Sequence, residues 1–379
     1  MRSGNICTLG ARKEKNNSMS DKIKIIHVIT TLGFGGAERL ILDFMKKADH
    51  ERFEYEVVSM VRGGELEEDF RRLGIPIKIF YKKGKLGLGV FLKLKQLFKE
   101  EKPDIVHTHL FGADVWAGLA AWLAGVPVIL KTEHNLNISE GLFKKWLKKI
   151  TAFIFKKMVA VSPAVVQYMV DVEHMPKDKI KIIFNGIDLK RFPEKENKYF
   201  SSPPVLINVS RFEEQKGHEY LIGALKKIKD TPWILWLVGD GTLRKDIQSM
   251  VERLEFADRV KFFGERKDVP NLLGQADIFV FPSLWEGLGL AVLEAGAVGL
   301  PIVATRVGGV ADVFTDQQNA SIVEAKNEEE LARAISWMLE HPDKALYLGR
   351  EAREMVHEKF SLESMVHEYE HLYKALLNE

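Results

Sequence analysis

The feature that most limits what this chain can fold into is a repeated alternation of short apolar segments with amphipathic ones. Residues 24–30 (KIIHVIT) are typical of a buried parallel strand, and a glycine-rich turn then leads into a helical pattern over residues 37–48. The same order recurs as far as residues 180–184 and starts again at residues 205–210. Parallel strands joined by helices require crossover connections. The pattern therefore predicts an α/β fold of two doubly wound domains, each with a mainly parallel sheet covered on both faces.

Breaks in this pattern predict the domain organisation. Residues 1–18 are polar and aperiodic, and we expect them to form a disordered extension. The first domain then covers residues 19–191, and the polar, proline-bearing stretch 192–204 is the linker to a second domain over residues 205–360. The last segment, residues 361–379, is amphipathic, so we expect a helix that crosses back onto the first domain.

Composition excludes several classes of protein. Among 379 residues Cys7 is the single cysteine, which rules out an intramolecular disulfide framework and a cysteine-based zinc site. The chain has no run of about 18 uncharged apolar residues and no apolar stretch typical of a secretion signal, so we expect a cytoplasmic protein. The net charge is +11 over residues 1–200 and −9 over residues 201–379. The acidic second half argues against a nucleic-acid partner, whereas the basic first half suits an anionic membrane or substrate.

Two glutamates in residues 281–309 carry the most informative chemical signal. Glu286 lies in the loop after a predicted strand, and Glu294 lies in the early turns of the next helix. Gly287 and Gly289 let the backbone approach a ligand closely. Amides at a helix N-terminus bind phosphate and a nearby carboxylate can hold sugar hydroxyls, so this segment suits a nucleotide sugar. The alternative is a loop glutamate and a solvated helix glutamate without a ligand.

Arg211 and Lys216 lie together in the loop after the first strand of the second domain. Two cations in such a loop can converge on a diphosphate, where they would replace a divalent metal ion. The chain shows no Asp-x-Asp in a strand-end loop and no cluster with metal-ligand spacing, so we expect neither a metal nor another cofactor. The alternative is a surface turn with two solvated basic residues.

Glycine-rich turns and histidines at predicted strand ends supply further candidates. Gly35 and Gly36 precede the first helix, but the last glycine of the G-x-G-x-x-G fingerprint is missing, which disfavours a nicotinamide-dependent oxidoreductase. Gly239 follows the second strand of the second domain and could line a nucleotide pocket or form an ordinary turn. His134 is our preferred candidate for bonding a sugar hydroxyl or a developing charge, with His109 second.

Together these motifs resemble those of the retaining glycosyltransferases of family 4, over residues 22–377. Glu286 and Glu294, with the Gly-Leu-Gly between them, are similar to the Glu-x7-Glu motif of that family. The resemblance implies a GT-B fold, in which two Rossmann-like domains face each other across a deep cleft. It also implies transfer of a sugar from a nucleotide-diphosphate sugar with retention of anomeric configuration and without a metal. The expected donor is a UDP-sugar, with GDP-mannose as the main rival.

The resemblance implies roles for individual residues. Glu294 would hold the ribose hydroxyls, Glu286 would contact the transferred sugar, and His134 looks like the active-site histidine. The implied catalytic residues are Glu286, His134, Arg211 and Lys216. The implied donor-binding residues are Gly35, Gly36, Arg211, Lys216, Glu286, Gly287, Leu288, Gly289 and Glu294. We add Gly239 to the expected donor-binding residues because of its position after a strand.

Residues 142–157 form a basic amphipathic segment that we predict to be one helix. Such a helix can lie on an anionic membrane, although a core-packed helix with a solvated lysine face is the alternative. We expect the first domain to rest on the inner membrane face and to receive a lipid-linked saccharide in surface-polysaccharide or glycolipid assembly. The expected acceptor or membrane contacts are His109, Lys144, Lys145, Trp146, Lys148 and Lys149.

Other functions are compatible with the same motifs. A glycosyltransferase acting on a small sugar or sugar-phosphate acceptor would differ in not binding liposomes. A nucleotide-sugar epimerase of the same fold would release sugar without forming an acceptor product. A nucleotide-binding protein without catalysis would have no evident need for both glutamates and both cations.

Overall fold

A computed structural model describes residues 22–33, 35–81, 88–138, 141–194 and 199–379. The described residues form two sheets, one of seven and one of six strands, and every strand pairing in them is parallel. Helices connect the strands, which confirms the predicted doubly wound α/β architecture. The predicted extension, residues 1–18, lies outside the described residues.

The first sheet belongs to the N-terminal half of the chain. Its strands are β1 (Ile23–Ile29), β2 (Phe53–Ser59), β3 (Ile77–Ile79), β4 (Ile105–His109), β5 (Val128–Glu133), β6 (Lys157–Ala160) and β7 (Ile180–Ile182). Its helices are α1 (Gly36–Lys47), α2 (Glu67–Arg72), α3 (Leu88–Glu101), α4 (Phe111–Ala124), α5 (Leu142–Thr151) and α6 (Pro163–Asp171). The strand order is β3-β2-β1-β4-β5-β6-β7, so the winding direction changes between β1 and β4. Ligands of open α/β sheets bind at the carboxyl ends of the strands beside such a switch point.

The second sheet follows the same plan. Its strands are β8 (Val205–Val209), β9 (Ile234–Val238), β10 (Val260–Gly264), β11 (Ile278–Phe281), β12 (Ile302–Thr305) and β13 (Ser321–Val323), in the order β10-β9-β8-β11-β12-β13. Its helices are α7 (His218–Lys227), α8 (Arg244–Arg253), α9 (Val269–Gln275), α10 (Leu290–Val298), α11 (Gly308–Val313), α12 (Glu328–Glu340) and α13 (Pro342–Lys359). The switch point lies between β8 and β11. The loops that carry Arg211, Lys216 and Glu286 therefore leave the sheet at adjacent positions.

A last helix, α14 (Leu362–Asn378), packs on the first sheet. Its apolar face contributes Met365, Tyr369 and Tyr373 to a buried cluster that also contains Ile25 and Phe44. A buried Leu- or Phe-sized side chain contributes about 1.5–3 kcal/mol, so these contacts hold the two halves of the chain together. The domain limits at residues 191 and 205 stay a prediction, since residues 195–198 of the linker lie outside the described residues.

The helix predicted over residues 142–157 ends earlier than expected. Helix α5 stops at Thr151, whose hydroxyl donates a hydrogen bond back to the carbonyl oxygen of Leu147 (2.9 Å), and a short 3-10 turn follows. Phe155 is buried beneath α4, and strand β6 begins at Lys157. A helix continued to residue 157 would remove Phe155 from the core and the first residue of β6 from the sheet, so this part of the prediction is wrong. Within the described ranges, no helix is both long and apolar enough to cross a membrane.

Candidate active site

A cation and a carboxylate that are 70 residues apart in sequence meet in the cleft between the two sheets. Lys216 ends the 3-10 turn after β8, Glu286 lies in the loop after β11, and their side chains form an ion pair. Glu286 is buried, and the Lys216 ammonium lies 5.5 Å from the ring centroid of Phe281. The arrangement places a fixed positive charge beside the carboxylate that the family resemblance assigns to the transferred sugar.

The loop after Glu286 packs tightly against the first domain. Gly287 lies against the main-chain carbonyl of His134, and a Cβ at this position would overlap that carbonyl. The hydroxyl of Ser162 donates a hydrogen bond of 2.7 Å to the carbonyl oxygen of Gly287, and the amide of Ala164 donates one of 2.9 Å to Asp312. The cleft is therefore closed at this point, and closure brings His134 next to the Glu286 loop.

The N-terminus of α10 follows directly. Gly289 precedes the helix with φ +85°, a left-handed conformation that glycine adopts without the steric cost of a Cβ. The Leu288 side chain is buried in the core. Across the cleft, a Cβ on Gly36 would lie 3.6 Å from the Leu290 side chain, so the first turn of α1 faces the start of α10.

Glu294 lies in the second turn of α10 and is partly buried. Burial raises its pKa to about 7, although Arg191 and Arg39 of the first domain act in the opposite direction. Among the described residues it has neither a hydrogen-bond nor an ion-pair partner, so its carboxyl group is available to a ligand.

Arg211 is exposed in the loop after β8, and its charge acts on a carboxylate that the sequence patterns did not single out. This is Glu38 in the first turn of α1, which is buried and accepts a hydrogen bond from the Thr31 hydroxyl (3.2 Å). Burial raises the pKa of Glu38, while the Arg211 guanidinium lowers it. The sequence did contain an indication that Glu38 belongs to the site, because it is an acidic residue in the first helical turn after Gly35 and Gly36.

Two further polar residues at the site were also missed. The amide of Gln215 donates a hydrogen bond to the carbonyl oxygen of Trp285 (2.7 Å) and lies 3.4 Å from the Asn135 side-chain oxygen. Asn135 directly follows His134, and this adjacency could have indicated from the sequence that Asn135 belongs to the site. Gly239, predicted at the nucleotide pocket, lies against the carbonyl of Ser210 beside the Arg211 loop.

His134 is half-buried at the end of β5, and its Nε2 lies 3.0 Å from Nδ1 of His109. Nε2 of His109 lies 3.0 Å from Nδ1 of His27, so both ring nitrogens of His109 are engaged and the ring is buried. The prediction that His109 contacts the acceptor is therefore wrong, because it presents no free polar atom. Burial lowers the pKa of His134 to about 4 and that of His27 to about 3.

His27, His107 and His109 have ring nitrogens within 4.8 Å of one another, the one such group of three found in the described part of the chain. His107 is bonded to the Tyr373 hydroxyl and the Thr132 hydroxyl, both at 2.8 Å. A metal ion here would have to replace hydrogen bonds that the rings already make. The expected absence of a metal stays a prediction.

Helix α5 presents its apolar face to solvent. Leu142, Phe143, Trp146 and Ile150 are exposed by 85%, 71%, 56% and 42%, and Phe153 in the following turn by 61%. We call these five residues the apolar ridge. Lys144 and Lys149 are exposed beside it and Lys145 is partly exposed. The ridge contradicts the alternative of a core-packed apolar face.

Lys148, predicted as a membrane contact, lies on the opposite face and is only 2% exposed. Its ammonium lies 2.5 Å from Glu173 and 3.4 Å from Glu133, so this prediction is wrong. Burial by itself would raise the pKa of Glu133, but the Lys148 and Lys131 ammonium groups lower it overall. The ion pair between Lys148 and Glu133 therefore links α5 to the residue directly before His134.

We expect Lys148→Ala to lower the free energy of unfolding by about 3–5 kcal/mol, because the buried Glu173 carboxylate loses its ion-pair partner. Lys149→Ala, one residue further on the exposed face, should change it by no more than about 0.5 kcal/mol. Urea unfolding followed by circular dichroism measures both. Equal stabilities of the two variants would contradict the structural role of Lys148.

Family models match almost the whole chain in two adjoining parts. Residues 34–191 match the model described as Glycosyltransferase Family 4, and residues 190–355 match that described as Glycosyl transferases group 1. The two matches meet at residues 190–191, directly before the predicted linker.

Relatives and a solved structure are similar to this chain over almost its full length. The chain is 27% identical over 380 residues to UDP-Gal:alpha-D-GlcNAc-diphosphoundecaprenol alpha-1,3-galactosyltransferase of Escherichia coli, covering 94% of this chain and 98% of that protein. It is 26% identical over 382 residues to the putative glycosyltransferase EpsF of Bacillus subtilis, covering 95% and 96%. The structure of HepE from Anabaena in complex with UDP-glucose superimposes with a TM-score of 0.83 at 21% identity, covering 93% and 99%. With its two facing sheets and the site between them, the chain belongs to the family 4 glycosyltransferases and has their GT-B fold.

Proposed function

We propose that the protein transfers a sugar, with retention of anomeric configuration and without a metal ion, from a UDP-sugar to a lipid-linked saccharide at a membrane surface. The product would be an intermediate of a cell-surface polysaccharide or glycolipid. The observation that carries the acceptor half of this proposal is the exposed apolar ridge of α5, which has no cover in the described structure.

The donor half is supported by the residues of the cleft. Lys216 and Arg211 would neutralise the diphosphate as the bond to the sugar breaks, a task that fixed cations perform without reorganisation. The Glu294 carboxylate would accept hydrogen bonds from the ribose hydroxyls, and His134 with Glu286 would hold the transferred sugar. The Escherichia coli relative is named for a UDP-galactose donor, which supports a uridine nucleotide here.

The proposed lipid-linked acceptor is supported by the position of the apolar ridge and by the name of a relative. The apolar ridge belongs to the helix that Lys148 ties to the strand end before His134. A membrane under the ridge would therefore present a lipid-linked saccharide near the cleft. The same relative acts on a diphosphoundecaprenol-linked saccharide, by its name.

The proposal is tested by measuring nucleotide release and product from UDP-glucose, UDP-galactose, UDP-N-acetylglucosamine and GDP-mannose. Each donor is offered with a polyprenyl-diphosphate saccharide, with the matching soluble sugar phosphate, or alone, and Glu294→Ala is the inactive control. We expect release from a UDP-sugar only with the lipid acceptor, an α-linked product, and no effect of EDTA. Product formed only on the soluble acceptor would show a soluble-acceptor enzyme, and release without product would show an epimerase or hydrolase.

The apolar ridge predicts binding to anionic membranes. We expect the protein to float with phosphatidylglycerol vesicles at low salt and the double variant Phe143→Ser with Trp146→Ser to lose at least about tenfold in affinity, because two aromatic side chains no longer insert. Tyr347→Ser, an exposed aromatic on α13, is the matched control and should bind like the unmodified protein. Equal flotation of the double variant and the unmodified protein would contradict the membrane surface.

The raised pKa of Glu294 predicts that donor affinity depends on pH. Ribose hydroxyls donate to the ionised carboxylate, which forms as the pH rises through the pKa of about 7. Affinity for a UDP-sugar should thus fall by up to about tenfold for each pH unit below that value, down to the affinity of the neutral carboxyl form, and level off above it. Calorimetric titration with UDP-glucose measures this. In Glu294→Gln the affinity should be weaker and independent of pH; an unchanged pH profile in that variant would assign the titration to another group.

A further inference from the structure

Three histidines at the centre of the first sheet, two of them buried and one half-buried, form a continuous series of ring-to-ring hydrogen bonds. His27 lies on β1, His109 on β4 and His134 just after β5, three strands that are neighbours in the sheet. His27 Nδ1 lies 3.0 Å from His109 Nε2, and His109 Nδ1 lies 3.0 Å from His134 Nε2. This series of hydrogen bonds runs from His27 in the interior of the first domain to His134 at the cleft.

The rings in this series are neutral, because burial lowers the pKa of each histidine. A neutral imidazole has one N–H donor and one acceptor nitrogen. His109 must therefore donate through one nitrogen and accept through the other, so the direction of one hydrogen bond fixes the direction of the next. The whole series has two arrangements, which differ in whether His134 carries its proton on Nδ1 or on Nε2.

The inner end of the series distinguishes the two arrangements. Nε2 of His27 is buried and has no hydrogen-bond partner among the described residues. The His27 ring lines a small cavity together with apolar side chains that include Leu40, Ile41, Phe44 and Met365. If His134 were protonated on Nε2, this nitrogen of His27 would carry an N–H with nothing to accept it. A buried donor without an acceptor is rarer in proteins than an acceptor that lacks a donor. The favoured arrangement has N–H groups on Nδ1 of His27, His109 and His134.

We propose that His27 and His109 are positioning residues that hold His134 as the Nδ1–H tautomer, so that the active-site histidine offers a hydrogen-bond donor to the cleft. Nδ1 is the ring nitrogen of His134 that has no partner among the described residues. Through it His134 donates to a hydroxyl oxygen of the transferred sugar or to the leaving phosphate oxygen. The catalytic consequence rests on the proposed function, whereas the tautomer itself does not.

Nitrogen NMR of protein labelled with ¹⁵N-histidine tests the tautomer directly. The His134 signals are assigned from the spectrum of His134→Gln. We expect a protonated Nδ1 and an unprotonated Nε2 in His134 of the unmodified protein; a protonated Nε2 would overturn the proposal. This measurement needs no substrate, so it decides the proposal even if sugar transfer is not found.

Two substitutions of His27 separate tautomer control from packing. His27→Met removes the donor to His109 and places near its Nε2 a thioether sulfur, which can accept a hydrogen bond but cannot donate one. We expect a mixed or reversed His134 tautomer and a kcat lowered about tenfold, with the donor KM changed less than about twofold. His27→Asn places an amide N–H where Nδ1 was, and it should restore the tautomer and most of kcat. An unchanged tautomer in His27→Met would overturn the proposal.

His107 supplies the matched control. It is as buried as His27 and contacts its ring, but it is bonded to Tyr373 and Thr132 outside the series. His107→Gln should lower the thermal unfolding temperature and leave the His134 tautomer as it was. If His107→Gln altered the tautomer as strongly as His27→Met, general damage to the core would explain both, and the proposal would fail.

Discussion

Lys216→Ala is expected to lower kcat by about a hundredfold to a thousandfold, which is about 3–4 kcal/mol in the activation barrier. The Lys216 ammonium is fixed in the cleft by its ion pair with Glu286, next to the position expected for the leaving diphosphate. Negative charge develops on that diphosphate as the bond to the sugar breaks. The Lys216 ammonium is already in place, so the site does not have to reorganise to stabilise this charge. The measurement is nucleotide release at saturating donor and acceptor.

The control for Lys216→Ala is Lys227→Ala. Lys227 lies in the same domain, and its ion pair with Glu329 is at the surface, so its loss should leave kcat unchanged. Far-ultraviolet circular dichroism and thermal unfolding show that each variant keeps its fold. Turnover of Lys216→Ala within about threefold of the unmodified enzyme would remove Lys216 from the catalytic residues.

Gly287→Ala is expected to lower kcat by about a hundredfold while the second domain still binds nucleotide. A Cβ at this position would overlap the carbonyl of His134, so the two domains could not approach as closely. A displacement of about 1 Å between reacting groups is enough to cost a hundredfold in rate. Calorimetry with UDP measures the binding that should persist, and turnover measures the loss.

The matched control for this substitution is Gly274→Ala in α9, where a Cβ would meet no atom within 4 Å. It should have no effect on turnover. A combined loss of nucleotide binding and turnover in Gly287→Ala would indicate damage to the donor site itself and would contradict a role in domain closure.

Local sequence patterns were sufficient to predict the architecture and most of the cleft. The period of apolar residues identified the strands and helices, and parallel strands must place their carboxyl-end loops at one edge. Glu286, Lys216 and His134 were each selected from such loops. Their pairing could not be predicted, because it depends on how two sheets face each other and not on spacing within either loop.

Helix α5 shows where sequence patterns stop being informative. The apolar and basic faces were recognised, but a helical period does not tell which face is covered by the rest of the protein. The structure covers the face that carries Lys148 and exposes the apolar ridge. The ion-pair partners of Lys148, Glu133 and Glu173, are 15 and 25 residues away in sequence, beyond any helical spacing.

By itself, the sequence determined which segments form strands and helices, which loops lie at the cleft, and the family. Only the tertiary structure decided that both ring nitrogens of His109 are hydrogen-bonded to other histidines, that Lys148 is internal, and that an apolar ridge faces outwards. The physical reason is the same in each case. Secondary structure follows from interactions within a few residues, whereas burial and hydrogen-bond partners depend on elements that are distant in the chain and adjacent only after folding.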